Sequence, residues 1–274
     1  QEAGNRLEVT APAGYDPEDF ELFMRCLLRR NPASLSEIFL IRALPHGKYD
    51  WNSYETFGVS LDLVGENHAY PDGDYEIRAM IRQRHQYYTA GLLYLLGHDE
   101  RVPLNLRNEM QTWGLCRDEF QDTGGWPHQL YVREARRMIG RYVLTEANCA
   151  LTELVTDGIA QGSYAIDSHQ VQRYIDSNGW VHNEGGFYIF PTGQISPYDI
   201  PYRSITPLAA ECRNLIVPSC ISASHVAFSS ARMEPVFMMM GEAAGRAAAM
   251  AAYDAVAVQE IDVNLLRRYL FSGY

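Results

Sequence analysis

The sequence has few cationic residues, no long apolar run and no paired cysteines, and each absence narrows its class. Lys and Arg number 23 against 34 Asp and Glu, which gives a formal net charge of −11. This acidic balance argues against nucleic acid and anionic membrane surfaces as partners. No apolar stretch approaches the roughly 20 residues that a membrane-spanning helix needs. With ordinary hydrophobic content over 274 residues, the chain is expected to be globular with a sizeable core.

The five cysteines are scattered, odd in number and never spaced as a CxxC pair. Neither a zinc site nor a disulfide framework is therefore expected, and the thiols are expected to be reduced. The first residue is Gln rather than Met, and no signal peptide follows, which favours a processed or dissected product. The compartment stays open between cytoplasm and periplasm.

Several catalytic motifs are also missing. The sequence contains no G-x-S-x-G, no H-E-x-x-H and no P-loop. It therefore lacks the motifs typical of α/β-hydrolases, zinc proteases and P-loop nucleotide-binding proteins. The acidic residues between positions 50 and 74 lack the spacing of a calcium-binding loop and are interpreted as a solvated face. No metal site is predicted.

The most informative stretch lies near the C-terminus. Residues 215–217 are a short apolar run with the character of a buried strand. A serine-rich connection follows, and a long helix is predicted from Ala231. Ser229 or Ser230 can cap that helix, with Glu234 in its first turn as in a capping box.

Small residues recur along the same predicted helix, at Gly241, Ala244, Gly245 and Ala248. Their face carries almost no side chain, so we expect another backbone to pack closely against it. The helix start, with unpaired N–H groups and a positive dipole end, is suited to an anion or an electron-rich ligand edge. The alternative is a plain buried strand–loop–helix unit without a ligand.

Local patterns elsewhere predict a fold of mixed class, α/β (α+β), with a helical cap over a sheet. Caps and apolar spacing predict four further helices, over residues 16–31, 74–97, 103–114 and 263–271. Short apolar or alternating runs predict strands over residues 36–44, 159–166 and 186–190.

Four separated blocks, in order, carry a family resemblance. They are GGWPHQLYVREARRMIG at 124–140, GSYAIDSHQVQRY at 162–174, PYDIPYRSITP at 197–207 and SASHVAFSSARMEPVFMMMGEAAG at 222–245. With these blocks the chain resembles the C-terminal half of FAD-dependent oxidoreductases of the glutathione-reductase-like superfamily, and more narrowly their xanthan lyase-like family. The N-terminal half of that family carries a strand–GxGxxG–helix that holds the ADP part of FAD. No GxGxxG occurs in this sequence.

The resemblance implies FAD as the cofactor of the complete protein, bound between this chain and a nucleotide-binding half. That half would be a separate chain or a missing N-terminal region, and without it this chain is not expected to retain FAD. Residues 1–206 would form a substrate-binding cap domain, and residues 207–274 would complete the FAD-binding domain. In the superfamily the helix start lies against the pyrimidine edge of the flavin. By matched position the cofactor contacts here are Ser230, Arg232, Met233, Glu234 and Pro235.

Histidine is the natural acid or base near neutral pH, and two of the eight stand out. His225 precedes the predicted flavin-facing helix, and His169 follows a predicted strand in the sequence DSH. Either is a candidate base for substrate oxidation, and Asp167 is placed to orient a nearby imidazole. A purely structural role is the alternative for both histidines.

Candidate substrate contacts come from two of the blocks. Tyr198, Tyr202 and Arg203 form an aromatic and cationic loop of the kind that lines ligand pockets. His128 and Arg133 lie in the first block, where Arg133 begins a basic run. That run suits either an anionic ligand group, namely a substrate carboxylate or the FAD pyrophosphate, or ion pairing with acidic residues of the chain.

Two functions follow from these observations. The first is the C-terminal part of a flavin-dependent oxidoreductase that oxidises a small, sugar-like substrate by hydride transfer to FAD. The 18 tyrosines suit stacking on sugar rings, and they also suit an ordinary core. The second is a non-enzymatic module that binds a ligand or partner and keeps the fold without a cofactor. The missing GxGxxG motivates both, and a flavin spectrum of the purified chain distinguishes them.

Overall fold

The computed structural model describes residues 3–54, 57–191, 193 and 196–271. The chain divides into two compact units, each built from two segments. The first unit comprises Gln1–Tyr131 and Val171–Glu184, and the second comprises Val132–Gln170 and Gly185–Tyr274. The predicted boundary between residues 206 and 207 divides the chain by function, into a substrate-binding part and an FAD-binding part. The two compact units do not test that division, and it stays a prediction.

Within the described residues, α-helices alternate with short strands. The helices are α1 (Glu21–Arg30), α2 (Tyr75–His98), α3 (Leu104–Met110), α4 (Glu146–Cys149), α5 (His225–Ala231), α6 (Glu234–Asp254) and α7 (Val263–Phe271). The strands are β1 (Arg6–Leu7), β2 (Phe39–Leu44), β3 (Lys48–Ser53), β4 (Leu115–Cys116), β5 (Gly158–Gly162), β6 (Ile166–Ser168), β7 (Gln172–Ile175), β8 (Val181–Glu184), β9 (Phe187–Ile189) and β10 (Tyr198–Pro201). They form antiparallel pairs, namely β1 with β4, β2 with β3, β5 with β10, β6 with β9 and β7 with β8. This mixture confirms the predicted α+β class.

The first unit contains α1 to α3 and the pairs β1–β4, β2–β3 and β7–β8. Asp74 begins α2 as predicted, because its carboxylate accepts a hydrogen bond from the N–H of Ile77 at 2.9 Å. Asp16 caps the short 3₁₀ turn before α1 in the same way, accepting from Glu18 at 2.9 Å. The apolar faces of the three helices meet in a core whose largest fully buried members are Phe20, Phe23, Phe39, Met24, Leu27, Leu35, Ile38, Leu92, Leu95, Leu96 and Leu106.

The second unit contains α4 to α7 and the pairs β5–β10 and β6–β9. Helix α6 packs on β5, and α5 packs on β6. The buried side of α6 is formed by Met240, Ala243, Ala247 and Ala251, which join the core of this unit. Because α5 rests on β6, side chains at the start of the helix lie beside the end of that strand.

Two predictions for the closing stretch are wrong. Residues 215–217 form no strand; Leu215 is 47 % exposed, although the half-buried Ile216 packs against the core of this unit. The long helix predicted from Ala231 is α6, which begins later, at Glu234, and the predicted serine-rich connection contains a separate helix, α5, which ends at Ala231. The cap of α5 is Ser224, whose hydroxyl accepts a hydrogen bond from the N–H of Ala227 at 3.2 Å.

The small-residue face of α6 is also not packed as expected. A Cβ built on Gly241 or Gly245 would meet no other atom within 4 Å. Both positions and Ala248 are exposed. The buried alanines of the same helix, Ala243, Ala247 and Ala251, lie on a different side of it. The expectation that a backbone of this chain lies close against that face is therefore wrong for the residues that the structure describes.

In the part of the chain that the structure describes, no helix is long and apolar enough to cross a membrane. All five cysteines carry free thiols. Over the same residues, no three His, Cys, Asp or Glu side chains are grouped so that they could hold a metal ion.

Candidate active site

His225 is the first residue of α5, and its position follows from the helix cap. Ser224 has extended backbone angles and caps the helix, so the imidazole of the next residue emerges at the helix start. The side chain is 37 % exposed. Its ring meets the ring of Phe187 edge-on, with centroids 6.1 Å apart. The imidazole is thus held on an apolar surface while keeping a face toward solvent.

Both ring nitrogens of His225 have hydrogen-bond partners from distant parts of the chain. Nδ1 lies 2.6 Å from Oε2 of Glu134. Nε2 lies 3.1 Å from Oγ of Ser168, the last residue of β6. We call this arrangement of Glu134, His225 and Ser168 the His225 relay.

The charges around the relay favour a neutral imidazole. Burial lowers the pKa of His225 below its usual 6.5, and the positive charges of Arg137 and Arg232 lower it further. The carboxylate of Glu134 does not reverse this direction, because Arg137 neutralises it in an ion pair. A neutral imidazole carries one N–H, and the carboxylate can only accept, so Nδ1 donates to Glu134. Nε2 is then the acceptor, and the Ser168 hydroxyl donates to it.

Glu134 is itself held in place. Its ion pair with Arg137 joins residues three apart in the chain, and both side chains are largely buried, at 21 % and 24 % exposed. The Nε of Arg137 donates to the carbonyl of Ala223 at 3.0 Å, and its guanidinium lies 5.8 Å from the ring centre of Phe228. The orientation of the carboxylate toward His225 is therefore fixed by contacts on two sides. Ion pairing, one of the two roles considered for the basic run, is confirmed for Arg137.

Ser168 offers its hydroxyl to two acceptors. It lies 3.1 Å from Nε2 of His225 and 3.3 Å from the carbonyl of His169. A serine–histidine–carboxylate chain is also the arrangement of acyl-transfer enzymes. Ser168, however, is only 3 % exposed, so its oxygen has no open path to a substrate. Its chemical effect here is to donate to Nε2, or to release Nε2 by turning to the carbonyl of His169.

The start of α6 carries four of the predicted cofactor contacts. Arg232 directly follows α5 as its C-cap residue, and its Nη2 donates to the carbonyl of Asp167 at 2.8 Å, next to the relay. Met233 occupies the N-cap position of α6 but has no side-chain hydrogen bond to the first helical N–H groups. Glu234 and Pro235 form the exposed first turn. The helix therefore begins with an uncapped, accessible end close in sequence to the relay.

Ser230, the fifth predicted cofactor contact, faces inward. It is fully buried, and its hydroxyl donates to the carbonyl of Tyr164 at 2.7 Å. It also accepts a hydrogen bond from the hydroxyl of Tyr198 at 2.7 Å. Contact with a cofactor stays a prediction for Ser230, and its burial does not favour it.

The three predicted substrate contacts around β10 are also engaged within the unit. Tyr198 and Tyr202 are 3 % and 0 % exposed, and the hydroxyl of Tyr202 donates to the carbonyl of Val258 at 2.7 Å. Arg203 makes two hydrogen bonds of 3.0 Å to the carboxylate of Asp157. These contacts give all three residues a place in the packing of the second unit. Their direct contact with substrate stays a prediction.

The remaining candidates lie apart from the relay contacts. His169 is half-buried and contributes its carbonyl to the bond from Ser168, while its ring is not one of the relay partners. Arg133 is half-buried beside Glu134 in sequence. His128 belongs to the first unit, where its side chain is 58 % exposed and its Nε2 lies 3.6 Å from Asp122. Of the predicted catalytic and substrate residues, the structure brings His225 into a hydrogen-bonded chain with two new residues.

Comparison with known proteins gives one match. The family described as FAD dependent oxidoreductase matches residues 1–270 of the 274-residue chain. This chain belongs to the FAD-dependent oxidoreductase family. Searches of curated proteins and of solved structures find no match to it. Family membership makes FAD the cofactor of the complete protein, and the protein an oxidoreductase of flavoprotein type.

The residues of this oxidoreductase fit one part of FAD better than another. At the start of α6, a helix of 21 residues, Pro235 has no N–H. The N–H groups of Val236 and Phe237 donate to the carbonyl of Met233. The N–H of Glu234 is the group there that can donate to a carbonyl edge such as that of the flavin ring. Its exposed first turn leaves room for such an edge. By contrast, the sequence has no GxGxxG with which to bind the pyrophosphate. The start of α6 is therefore the candidate contact for the flavin ring.

Sequence reasoning about the oxidoreductase missed Glu134 and Ser168. They are 91 and 57 residues from His225 along the chain, so no local pattern joins them. The role of Asp167 in orienting a nearby imidazole stays a prediction, and the partner of His225 on β6 is its neighbour Ser168. Side chains alternate along a strand, so if one of two adjacent residues faces α5 the other faces away. The available signal was that both missed residues lie inside the matched sequence blocks.

Proposed function

We propose that this chain is the substrate-binding, C-terminal part of an oxidoreductase of the glutathione-reductase-like superfamily, which oxidises a small, sugar-like substrate by hydride transfer to FAD. The observation that carries the proposal is the His225 relay, a neutral imidazole oriented by a carboxylate close to an uncapped helix start. When bound, FAD supplies the two-electron acceptor for the reaction.

The role of His225 is to remove the proton of a substrate hydroxyl. Its Nε2 is the accepting nitrogen once the Ser168 hydroxyl turns to the carbonyl of His169. Proton transfer places positive charge on the ring, and Glu134, 2.6 Å from Nδ1, stabilises that charge. Glu134 is a positioning residue, since it acts on the substrate through His225. The lowered pKa keeps the ring neutral, and therefore basic, at neutral pH.

The β6–β9 pair carries aromatic side chains on both of its faces, and an aromatic ring beside the base supports a ring-shaped, hydroxylated substrate. Tyr164 and Tyr188 are 40 % and 53 % exposed, and their rings meet edge-on with centroids 6.3 Å apart. Tyr188 lies opposite Asp167 in the β6–β9 pair, one residue from Ser168. Residues paired across two strands project from the same face, so Tyr164 and Tyr188 lie on the Asp167 side. Phe187, opposite Ser168, is instead the aromatic ring beside the base. An aromatic ring beside a base is a suitable surface for the apolar face of a sugar ring.

The phosphate end of the cofactor requires residues that this sequence does not contain. We propose that a nucleotide-binding part, on a separate chain or elsewhere in a longer protein, supplies the glycine-rich turn. The missing GxGxxG supports this division. The alternative function, a ligand- or partner-binding module without cofactor, predicts that no such combination takes up flavin.

The test uses the flavin-loaded protein, prepared by combining this chain with its nucleotide-binding part. A panel of aldoses and sugar alcohols is mixed with it under anaerobic conditions, and flavin bleaching is followed. His225→Gln is expected to slow bleaching by about 100-fold or more, the usual contribution of a general base. The matched control is His169→Gln, which makes the same change at the histidine directly after β6. It is expected to leave the rate of bleaching nearly unchanged.

Three outcomes separate the alternatives. Slow bleaching in His225→Gln alone supports the proposed base. Slow bleaching in His169→Gln alone transfers that role to His169. A protein that remains colourless in every combination contradicts the oxidoreductase proposal for this chain and favours the binding module.

A further inference from the structure

A cavity opens in the first unit between α2, the start of α1 and β7. Its volume is about 690 Å³, within the range of about 300–1,000 Å³ of small-molecule sites. Phe20, Phe23 and Val59 form its base, and each is less than 5 % exposed. No residue of the His225 relay lines it. The cavity is thus a concave apolar space without a role in the chemistry proposed above.

The base of the cavity is aromatic and rigid. The ring of Phe20 stacks with that of Tyr88 at a centroid distance of 5.8 Å and with that of Tyr87 at 6.3 Å. Gly91 of α2 lets Phe20 approach the helix backbone, because a Cβ at that position would overlap the ring. The hydroxyl of Tyr88 is fixed by a 2.8 Å hydrogen bond to the carbonyl of Ser60. A flat ring entering the cavity therefore meets a preformed stacking surface.

The wall of the cavity carries a half-buried guanidinium. Arg173 of β7 donates from Nε to Oδ1 of Asn183 at 2.7 Å and from Nη2 to the carbonyl of Gly58 at 3.2 Å. Both acceptors are uncharged, so they orient the cation without neutralising it. A charge in such a low-dielectric setting interacts with an anion more strongly than a surface charge does.

The other charges on the lining differ from Arg173. Arg84 already pairs with Glu66 at 3.0 Å, and both side chains reach solvent. Asp19 lies at the exposed rim and accepts a hydrogen bond from Tyr87 at 2.7 Å. Among the charged residues that line the cavity, Arg173 is therefore the one that is half-buried and donates its hydrogen bonds to uncharged acceptors.

We infer that this cavity binds a small aromatic carboxylate, with the ring stacked on Phe20 and Tyr88 and the carboxylate on Arg173. The apolar base sets the ring preference, and the oriented guanidinium sets the preference for an anion. The inference does not depend on flavin or on the His225 relay, so it stands or falls separately from the proposed function.

The test is a calorimetric titration of the full chain with phenylacetate, compared with the uncharged analogue 2-phenylethanol. Phenylacetate is expected to bind about tenfold more tightly or better, the effect of one charge-assisted contact. Arg173→Gln is expected to remove that difference, and Arg173→Lys to keep part of it. Arg42→Gln, which makes the same charge change on the exposed surface of β2, is expected to change neither affinity.

A blocking variant makes the test independent of the stability of the arginine variants. Gln83 is exposed on α2 and lines the cavity, so Gln83→Trp fills its opening without disturbing the core. Both ligands are expected to lose binding in this variant. Absence of phenylacetate binding to the unaltered chain, equal affinity for the two ligands, or unchanged affinity in Gln83→Trp would each overturn the inference.

Discussion

Gly91 and Gly241 lie inside two long helices and meet opposite surroundings. A Cβ at Gly91 of α2 would overlap the ring of Phe20, which is 2 % exposed. A Cβ at Gly241 of α6 would meet no atom within 4 Å. Glycine in α2 is therefore required by packing, whereas in α6 it only costs helix stability.

The same substitution should change stability in opposite directions at these two positions. Gly91→Ala is expected to destabilise the chain by about 1–3 kcal/mol, because overpacking exceeds the gain in helix propensity. Gly241→Ala is expected to stabilise it by about 0.5–1 kcal/mol. Urea unfolding with an unchanged slope measures both. Gly245→Ala is the control, because a Cβ at Gly245, like one at Gly241, would meet no atom within 4 Å. A loss of stability in that variant would show that the glycine face of α6 is packed.

At the scale of elements, the start of α2 rests on one hydrogen bond. Asp74→Ala removes the acceptor of the Ile77 N–H and is expected to cost about 1 kcal/mol. Asp74→Asn keeps an acceptor and should retain most of that stability. Thermal unfolding of the two variants checks the assignment, and equal losses in both would show that the cap contributes through its charge instead.

Elements with local signals could be predicted, and elements that depend on distant partners could not. Helices α2 and α7 carry caps and apolar spacing in their own sequence, and both form close to the predicted residues. Residues 215–217 have the composition of a strand, but no strand pairs with them and Leu215 is exposed. The break between α5 and α6 has a signal in Pro235, because proline favours the first turn of a helix. The serines before it favour an earlier start, so the predicted helix begins before Glu234.

In the candidate site too, the residue with a local signal could be predicted and its distant partners could not. His225 could be selected because it precedes a helix in a matched block, which is a local feature. Its partners Glu134 and Ser168 are brought to it by packing of α5 on β6 and by the ion pair with Arg137. The burial of Tyr198 and Tyr202 could not be read from composition, since tyrosine serves cores and pockets equally well.

At the scale of the whole molecule, one half-buried ion pair should contribute to acid sensitivity. Burial alone would raise the pKa of Asp157, but the hydrogen bonds and charge of Arg203 hold it below the usual 3.8. Because the folded pKa is the lower one, the stabilisation is present above pH 3.8 and is lost as pH falls through the folded value.

Asp157→Asn should therefore destabilise the chain at neutral pH by about 1.5–3 kcal/mol, the usual value of hydrogen bonds to a charged group. The difference from the unaltered chain should shrink as the solution is acidified below pH 3.8. Denaturant unfolding across this pH range provides the measurement. Asp254→Asn, at the exposed end of α6, is the matched control. A constant difference at all pH values would contradict the assigned linkage.

The pH dependence of flavin reduction by substrate tests most directly whether His225, held by Glu134, is the catalytic base. In the flavin-loaded protein, the rate is expected to rise with pH through a midpoint below 6.5, because only neutral His225 accepts the proton. Glu134→Gln should move that midpoint further down, since the imidazolium loses a nearby negative charge. It should also lower the plateau rate about tenfold or more, because the ring loses its orienting partner. An unchanged midpoint and plateau in Glu134→Gln would contradict the account.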